Sequence, residues 1–286
     1  MKQVVITGVS SGIGFGCARV LIERGIRVFG SVRRQSDADR VQRELGESFV
    51  PLLFDVTDEA AVQRAAETVA RHLGAPTLDG LVNNAGIEVA GPLAYLSTDQ
   101  FRHQLEVNLV GPMIVTKAFL PLLGADPARK GDPGRIVNIS STAGKIAGPF
   151  IGAYAASKFG LEGFSESLRR ELILFGIDVI VIRPGFVETP IWQKAEAGVT
   201  ERFRDTPYAE ALARFEHFAG RETKRGLPPE VIGEAVWRAL TAARPPVHSA
   251  IVPQRLTNWT IPRLLPIRLL DRLVAQFFGI RRRKRE

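Results

Sequence analysis

Apolar, β-branched runs alternate with segments of helical period along this chain of 286 residues, and that alternation restricts its fold more than any other feature. "QVVIT" (3–7), "RVFGSV" (27–32), "FVPLLFDV" (49–56), "LDGLVNNAG" (78–86), "GRIVNISS" (134–141) and "DVIVIRPG" (178–185) read as strands, with "SAIVP" (249–253) as a last one. Helical patterns lie between them: one through Leu21 and Ile22, then 37–45, 58–73 with Asp58 near its N-cap, 98–123, 152–175 and 229–242. Strands that are apolar on both faces and separated by helices imply a parallel sheet covered on both sides, an α/β fold. Residues 191–225 read as one or two short polar helices with mobile connections, and "GADPARKGDPG" (124–134) as an exposed loop. No composition break marks a second domain. The expected division is a single unit over 1–260, with a substrate loop at about 186–227, and a basic amphipathic extension over 261–286.

Cys17 is the one cysteine, so no disulfide can form within the chain, which fits a reducing compartment. The first strand begins at Gln3, too early for a signal peptide, and no run reaches ~18 consecutive apolar residues. A cytoplasmic location is expected. The net charge of +8 does not imply nucleic acid, because "RRRKRE" at the end holds five basic residues and one acid, a net of +4. No basic stripe interleaved with aromatics remains. His72, His103, His217 and His248 are scattered, without metal-ligand spacing.

"TGVSSGIG" (7–14) follows the first strand and opens the first helix. Gly8, Gly12 and Gly14 suit a tight turn and close backbone approach to phosphate, with Ser10, Ser11 and Ile13 beside the helix N-terminus. An acid at the end of the second strand would favour NAD. Here Val32 stands in that place and is followed by Arg33 and Arg34, which can pair with a 2′-phosphate. NADP(H) is therefore expected, with NAD(H) the alternative. Asp55 and the Val56 N–H are placed to meet adenine. Asn83, Ala85 and Gly86 in "NNAG" should line the nicotinamide side.

"NISSTAG" (138–144) delivers hydroxyls to the carboxyl end of a strand, where open α/β sheets bind ligands. Tyr154 follows Ser141 by thirteen residues, and Lys158 lies one helical turn further, on the same face. Asn108 sits mid-helix in "EVNLVGP", an amide beside a glycine and poorly suited to a helix. A nearby ammonium, together with the positive nicotinamide ring of an oxidised cofactor, favours phenolate and would lower the phenol pKa of Tyr154. The Ser141 hydroxyl could steady a carbonyl oxygen, and Asn108 could hold a water that resupplies the proton.

"TGVSSGIG", "DVTD", "NNAG", the Asn108 helix, "NISS", "YAASK" and "RPGFVETP" occur together and in one order over residues 3 to 253. In this the chain resembles the short-chain dehydrogenase/reductase family, its hydroxysteroid and retinol dehydrogenase branch in particular. The resemblance implies a Rossmann-type, doubly wound sheet of seven parallel strands. It implies catalytic roles for Asn108, Ser141, Tyr154 and Lys158, and a nicotinamide border at Pro184, Gly185, Val187 and Thr189. It also implies a homodimer or homotetramer built on the helices of 98–123 and 152–175. A non-catalytic NADP-binding sensor is the alternative of another class.

Phe186, Ile191, Trp192, Phe203, Phe215 and Phe218 suggest a bulky apolar substrate, a steroid- or retinoid-like alcohol or ketone. A 3-oxoacyl thioester is the runner-up. In "IPRLLPIRLLDRLVAQFFGIRRRKRE" (261–286), Leu269, Leu270, Leu273, Val274, Phe277 and Phe278 form an apolar face flanked by basic residues. Two readings stand: an interfacial helix on an anionic membrane, or a helix packed over the pocket or against a second subunit.

Overall fold

The computed structural model describes residues 1–189 and 198–282. Seven strands, β1 (Gln3–Ile6), β2 (Arg27–Val32), β3 (Phe49–Leu53), β4 (Gly80–Asn83), β5 (Arg135–Ile139), β6 (Asp178–Pro184) and β7 (His248–Ile251), form one parallel sheet in the order β3-β2-β1-β4-β5-β6-β7. The helices between them are α1 (Gly12–Glu23), α2 (Gln35–Leu45), α3 (Glu59–Leu73), α4 (Thr98–Leu105), α5 (Gly111–Phe119), α6 (Gly152–Glu171), α7 (Val199–Arg202), α8 (Ala209–Lys224) and α9 (Pro229–Thr241). The expected fold is the one observed. Side chains alternate across the sheet with the period of a strand. Val4 and Ile6 join Leu21, Val41 and Val236 in one core layer, while Val5 joins Val69, Phe119 and Leu172 in the other. Strand order reverses between β1 and β4, and that reversal opens a crevice at the carboxyl ends of the strands.

Several expected boundaries shift, two of them for a clear local reason. The third strand ends at Leu53, not Val56, because the Asp55 carboxylate accepts from the Thr57 N–H and hydroxyl and turns the chain. The helix expected over 98–123 is not continuous: α4 passes through a wide π turn, Glu106–Val110, before α5, and ends in a 3₁₀ turn, Leu120–Leu123. Pro112 has no N–H for the Asn108 carbonyl four residues back, so the ordinary ladder cannot run through this point. Thr98–Leu123 is long and apolar enough to cross a membrane, yet half of its most apolar window is buried inside the molecule. The last expected strand spans 248–251 rather than 249–253.

Helix α3 begins as expected, with the Asp58 side chain accepting from the Ala61 N–H, and ends at Gly74 in left-handed conformation (φ 65). Beyond β7 the chain makes a π turn, Leu256–Thr260, then α10 (Ile261–Leu264) and α11 (Ile267–Phe278). Val274 and Phe278 pack onto Phe215 of α8, while Leu264, Ile267, Leu269, Leu273 and Phe277 remain exposed. Arg283 to Glu286 lie outside the described residues.

A buried ion pair fixes α6 against β6. Arg183 donates through Nε and Nη2 to the two oxygens of Glu162, at 2.8 and 2.6 Å, and Lys145 stands 3.6 Å away. Burial alone would raise the Glu162 carboxyl, but hydrogen bonds from Arg183 and Ser140 hold it below its ordinary value. A depressed carboxyl contributes stability above its unfolded pKa and loses it as pH falls through the folded value. Glu162→Ala should therefore cost about 3–5 kcal/mol in urea unfolding at neutral pH, with less difference from wild type in acid. A neutral-pH loss near zero would contradict the assigned role of the pair.

Candidate active site

The crevice holds a cavity of about 700 Å³ that runs from the β1–α1 turn to the start of α6. Its first wall is the glycine turn. Gly8 has positive φ (71), and a Cβ there would lie 2.9 Å from the Ala85 Cα. A Cβ on Gly14 would overlap both the Gly8 carbonyl oxygen and the Asn84 amide. The turn is stitched to β4: Asn84 and Ala85 donate backbone N–H groups to the Thr7 hydroxyl, and the Asn84 side chain donates to the Thr7 and Gly8 carbonyls. Ser31 accepts from the Gly8 N–H. Ser11 opens α1 without a side-chain cap, and no acid occupies the first turn. The free N–H groups and positive helix end therefore face the cavity.

At the adenosine end Val32 is buried, and Arg33, Arg34 and Arg40 line the wall. Arg33 lies 3.7 Å from Asp55, and Arg40 donates to the Ser10 carbonyl at 2.5 Å. Burial pushes the Asp55 carboxyl up, but Thr57 and Arg33 outweigh it and hold the pKa below the ordinary value. A bare glycine cradle, an open helix terminus and three guanidinium groups fit a phosphorylated dinucleotide.

At the other end, Ser141, Tyr154 and Lys158 converge on the cavity. Lys158 donates to the Ile139 carbonyl at 2.8 Å, and its ammonium lies 5.7 Å from the Tyr154 ring centre. Burial lowers the Lys158 pKa to about 8, against the upward pull of Glu162 and Glu88. The expected lowering of the Tyr154 pKa is not found in the chain by itself. Burial raises the phenol and Glu88 raises it further, while a hydrogen bond from the Ser141 hydroxyl lowers it. Desolvation outweighs the Ser141 hydrogen bond because the phenol is buried.

All the residues expected to bind cofactor or act in catalysis line the cavity except Asn83 and Asn108: Gly8, Ser10, Ser11, Gly12, Ile13, Gly14, Arg33, Arg34, Asp55, Val56, Ala85, Gly86, Ser141, Tyr154, Lys158, Pro184, Gly185, Val187 and Thr189 do so. Asn83 instead points into the sheet's cover and donates to Thr116 and Asn138, leaving the neighbouring Asn84 to face the turn. Asn108 lies behind the wall. Its oxygen accepts from the Ile87 N–H, and its amide donates to the Ile87 carbonyl and to Ser157, whose hydroxyl bonds the Tyr154 carbonyl. It therefore ties α6 to the segment after β4. Sequence reasoning missed Asn84, Arg40, Glu88 and Gln104. The second asparagine of "NNAG" was in view, whereas the other three depend on long-range closure of the chain.

Phe203 and Phe215 are buried in a third cluster with Phe150 and Phe278, and none of these rings lines the cavity. Phe218 stands between Phe186 and Phe277, at 5.8 and 5.3 Å. These aromatics build the body of a lobe over the site. Ile191 and Trp192 fall outside the described residues.

Residues 2–200 match the model of the short chain dehydrogenase family. The chain is 37% identical to an NADPH-dependent 3-dehydrocapnine reductase of Ornithobacterium rhinotracheale over 273 residues, 96% of each chain. It is 45% identical to human retinol dehydrogenase 5 over 189 residues, 66% of this chain and 57% of that one. A bovine 17-beta-hydroxysteroid dehydrogenase type 6 is 39% identical over 72% of this chain and 64% of its own. Among solved structures, an actinorhodin polyketide ketoreductase with NADPH superposes with a TM-score of 0.75 at 31% identity, over 90% of this chain and 98% of that one. The chain belongs to the short-chain dehydrogenase/reductase family and is an NAD(P)-dependent oxidoreductase of that family.

Proposed function

We propose that this protein uses NADPH to reduce the carbonyl of a lipophilic substrate, and that Tyr154 supplies the proton. The convergence of Ser141, Tyr154 and Lys158 at one end of a cavity with three arginines at the other carries this reading. NADPH, when bound, supplies the hydride. The turn at 8–14 and the N-terminus of α1 hold its pyrophosphate, and Arg33 and Arg34 hold the 2′-phosphate. Ser141 steadies the carbonyl oxygen, and Tyr154 gives its proton to that oxygen as negative charge builds there. Lys158, fixed at the Ile139 carbonyl, keeps a positive charge beside the phenol as the proton leaves. Asn108 positions α6 through Ser157. The relatives named for retinol and hydroxysteroids, and the apolar wall of Ile87, Val107 and Val187, support a lipophilic substrate.

Residues 1–260 form the catalytic unit in this reading, and 261–286 an appendage that rests on an anionic membrane. The exposed Leu264, Ile267, Leu269 and Leu273 stand with Arg263, Arg268 and Arg272, the composition of an interfacial helix. Met113 on α5 and Phe159 on α6 expose apolar surface on the helices that we assign to a homodimer or homotetramer contact.

Tyr154→Phe should lower NADPH oxidation with a carbonyl panel by about 10²–10⁴-fold while NADPH still binds; retained turnover would remove Tyr154 from the mechanism. Arg33→Ala should raise the KM for NADPH about tenfold and leave NADH nearly unaffected, whereas equal losses would refute the 2′-phosphate assignment. Vesicles containing phosphatidylserine should co-sediment the wild type, and the double change Leu264→Asp with Ile267→Asp should release it. Equal sedimentation of both proteins would rule out a membrane role for this face.

A further inference from the structure

A second hollow, of about 350 Å³, opens between α8 and α11 and shares no lining residue with the cofactor cavity. Arg214, His217, Phe218 and Arg221 line it from α8, and Phe277 from α11. The four α8 positions follow an i, i+3, i+4, i+7 spacing, so one helix face presents three basic side chains beside one ring. Among the described residues Glu222 is the only acid in ion contact with the three, 3.2 Å from Arg221. Arg221 also stands 5.9 Å from the centre of the Phe218 ring. The Arg214 guanidinium lies against Gly279, the left-handed residue that ends α11, where a Cβ would come within 2.7 Å of Nη1. Two guanidinium forks and an imidazole N–H in one hollow are a donor set for a phosphate.

The rim of the hollow is apolar. Phe277 is 56% exposed, and Leu273 and Leu269, one and two turns before it on α11, are exposed as well. A free anion would make no use of that stripe. A phospholipid would use both parts, with its phosphate among the basic groups and its acyl chains along the stripe.

We propose that the hollow between α8 and α11 binds the phosphate of an anionic phospholipid, whose acyl chains lie along Leu269, Leu273 and Phe277. This rests on the membrane reading of 261–286 and gives it a headgroup site. Arg214 and Arg221 belong to the lobe over the active site, so the lipid joins the catalytic unit, and not only its appendage, to the membrane.

The test uses the full chain with NADP⁺ saturating the dinucleotide cavity. Calorimetry follows monomeric dihexanoyl phosphatidic acid, dihexanoyl phosphatidylcholine and inorganic phosphate. The wild type should bind phosphatidic acid about tenfold or more tightly than either of the others, and the double change Arg214→Gln with Arg221→Gln should remove that advantage. Phe277→Asp, on the other helix, should weaken phosphatidic acid and leave inorganic phosphate unchanged. Both variants should oxidise NADPH with a carbonyl panel at the wild-type rate, since none of these residues lines the cofactor cavity. Phosphatidic acid that fails to bind the wild type, or binds the double variant equally well, would overturn the proposal. Inorganic phosphate bound as tightly as phosphatidic acid would make this a free-anion site and overturn the lipid assignment. Phosphatidylserine vesicles that sediment wild type and double variant alike, without binding of phosphatidic acid, would bring down this site and leave the membrane reading standing. Phosphatidic acid held through the two arginines, without sedimentation on vesicles, would do the reverse.

Discussion

The approach of the 8–14 turn to the end of β4, at van der Waals contact, is the constraint on which the rest of the molecule depends. No side chain fits between Gly8 and Ala85, or between Gly14 and Asn84. That closeness lets one hydroxyl, Thr7, and one carboxamide, Asn84, lace the ends of β1 and β4 together, with Ser31 of β2 bound to the same turn. The laced ends aim α1 at the crevice. They also fix where the chain leaves β4, and so place Ala85, Gly86 and Glu88 on the cavity wall.

Charge is distributed along this cavity in a definite order. Guanidinium groups gather where a phosphate-rich ligand would lie and stand near the surface, where water softens their repulsion. At the enclosed end a lysine, a phenol and a carboxylate line the same cavity, and burial dominates the first two. The lysine is brought down to about 8, while the phenol is driven up. The Arg183–Glu162 pair stands one helical turn beyond Lys158 and holds the helix that carries both Tyr154 and Lys158.

Most of the fold could be read from the sequence because strand and helix periods are local properties, and each motif sits within a few residues of a strand end. What could not be read depends on three-dimensional closure. Choosing Asn83 over Asn84 requires the side-chain parity at the last residue of β4, and Asn83 pairs in register with Asn138 of a strand 55 positions away. Gln104 reaches the backbone on either side of Glu88, at Ile87 and Val89, only after α4 has folded back over the β4 exit. The misfit at Asn108 was visible as an amide beside Gly111 and Pro112, but a change of hydrogen-bond register leaves no composition signal. An ammonium four residues from Tyr154 is visible in the sequence, whereas the depth of burial that raises the phenol in the chain without cofactor is not.

The π turn at Glu106–Val110 gives the helical rod one surplus residue. An ordinary α-helix advances about 100° per residue, so removing one residue here would restore a regular rod and swing everything beyond it by that angle. Val115 and Phe119 would leave the core layer they fill, although every side chain in the rod would still suit a helix. The segment is thus a reading frame in space. Substitutions along it change one contact at a time, but a single deletion shifts them all, and both halves can keep their faces only while the extra residue stays between them.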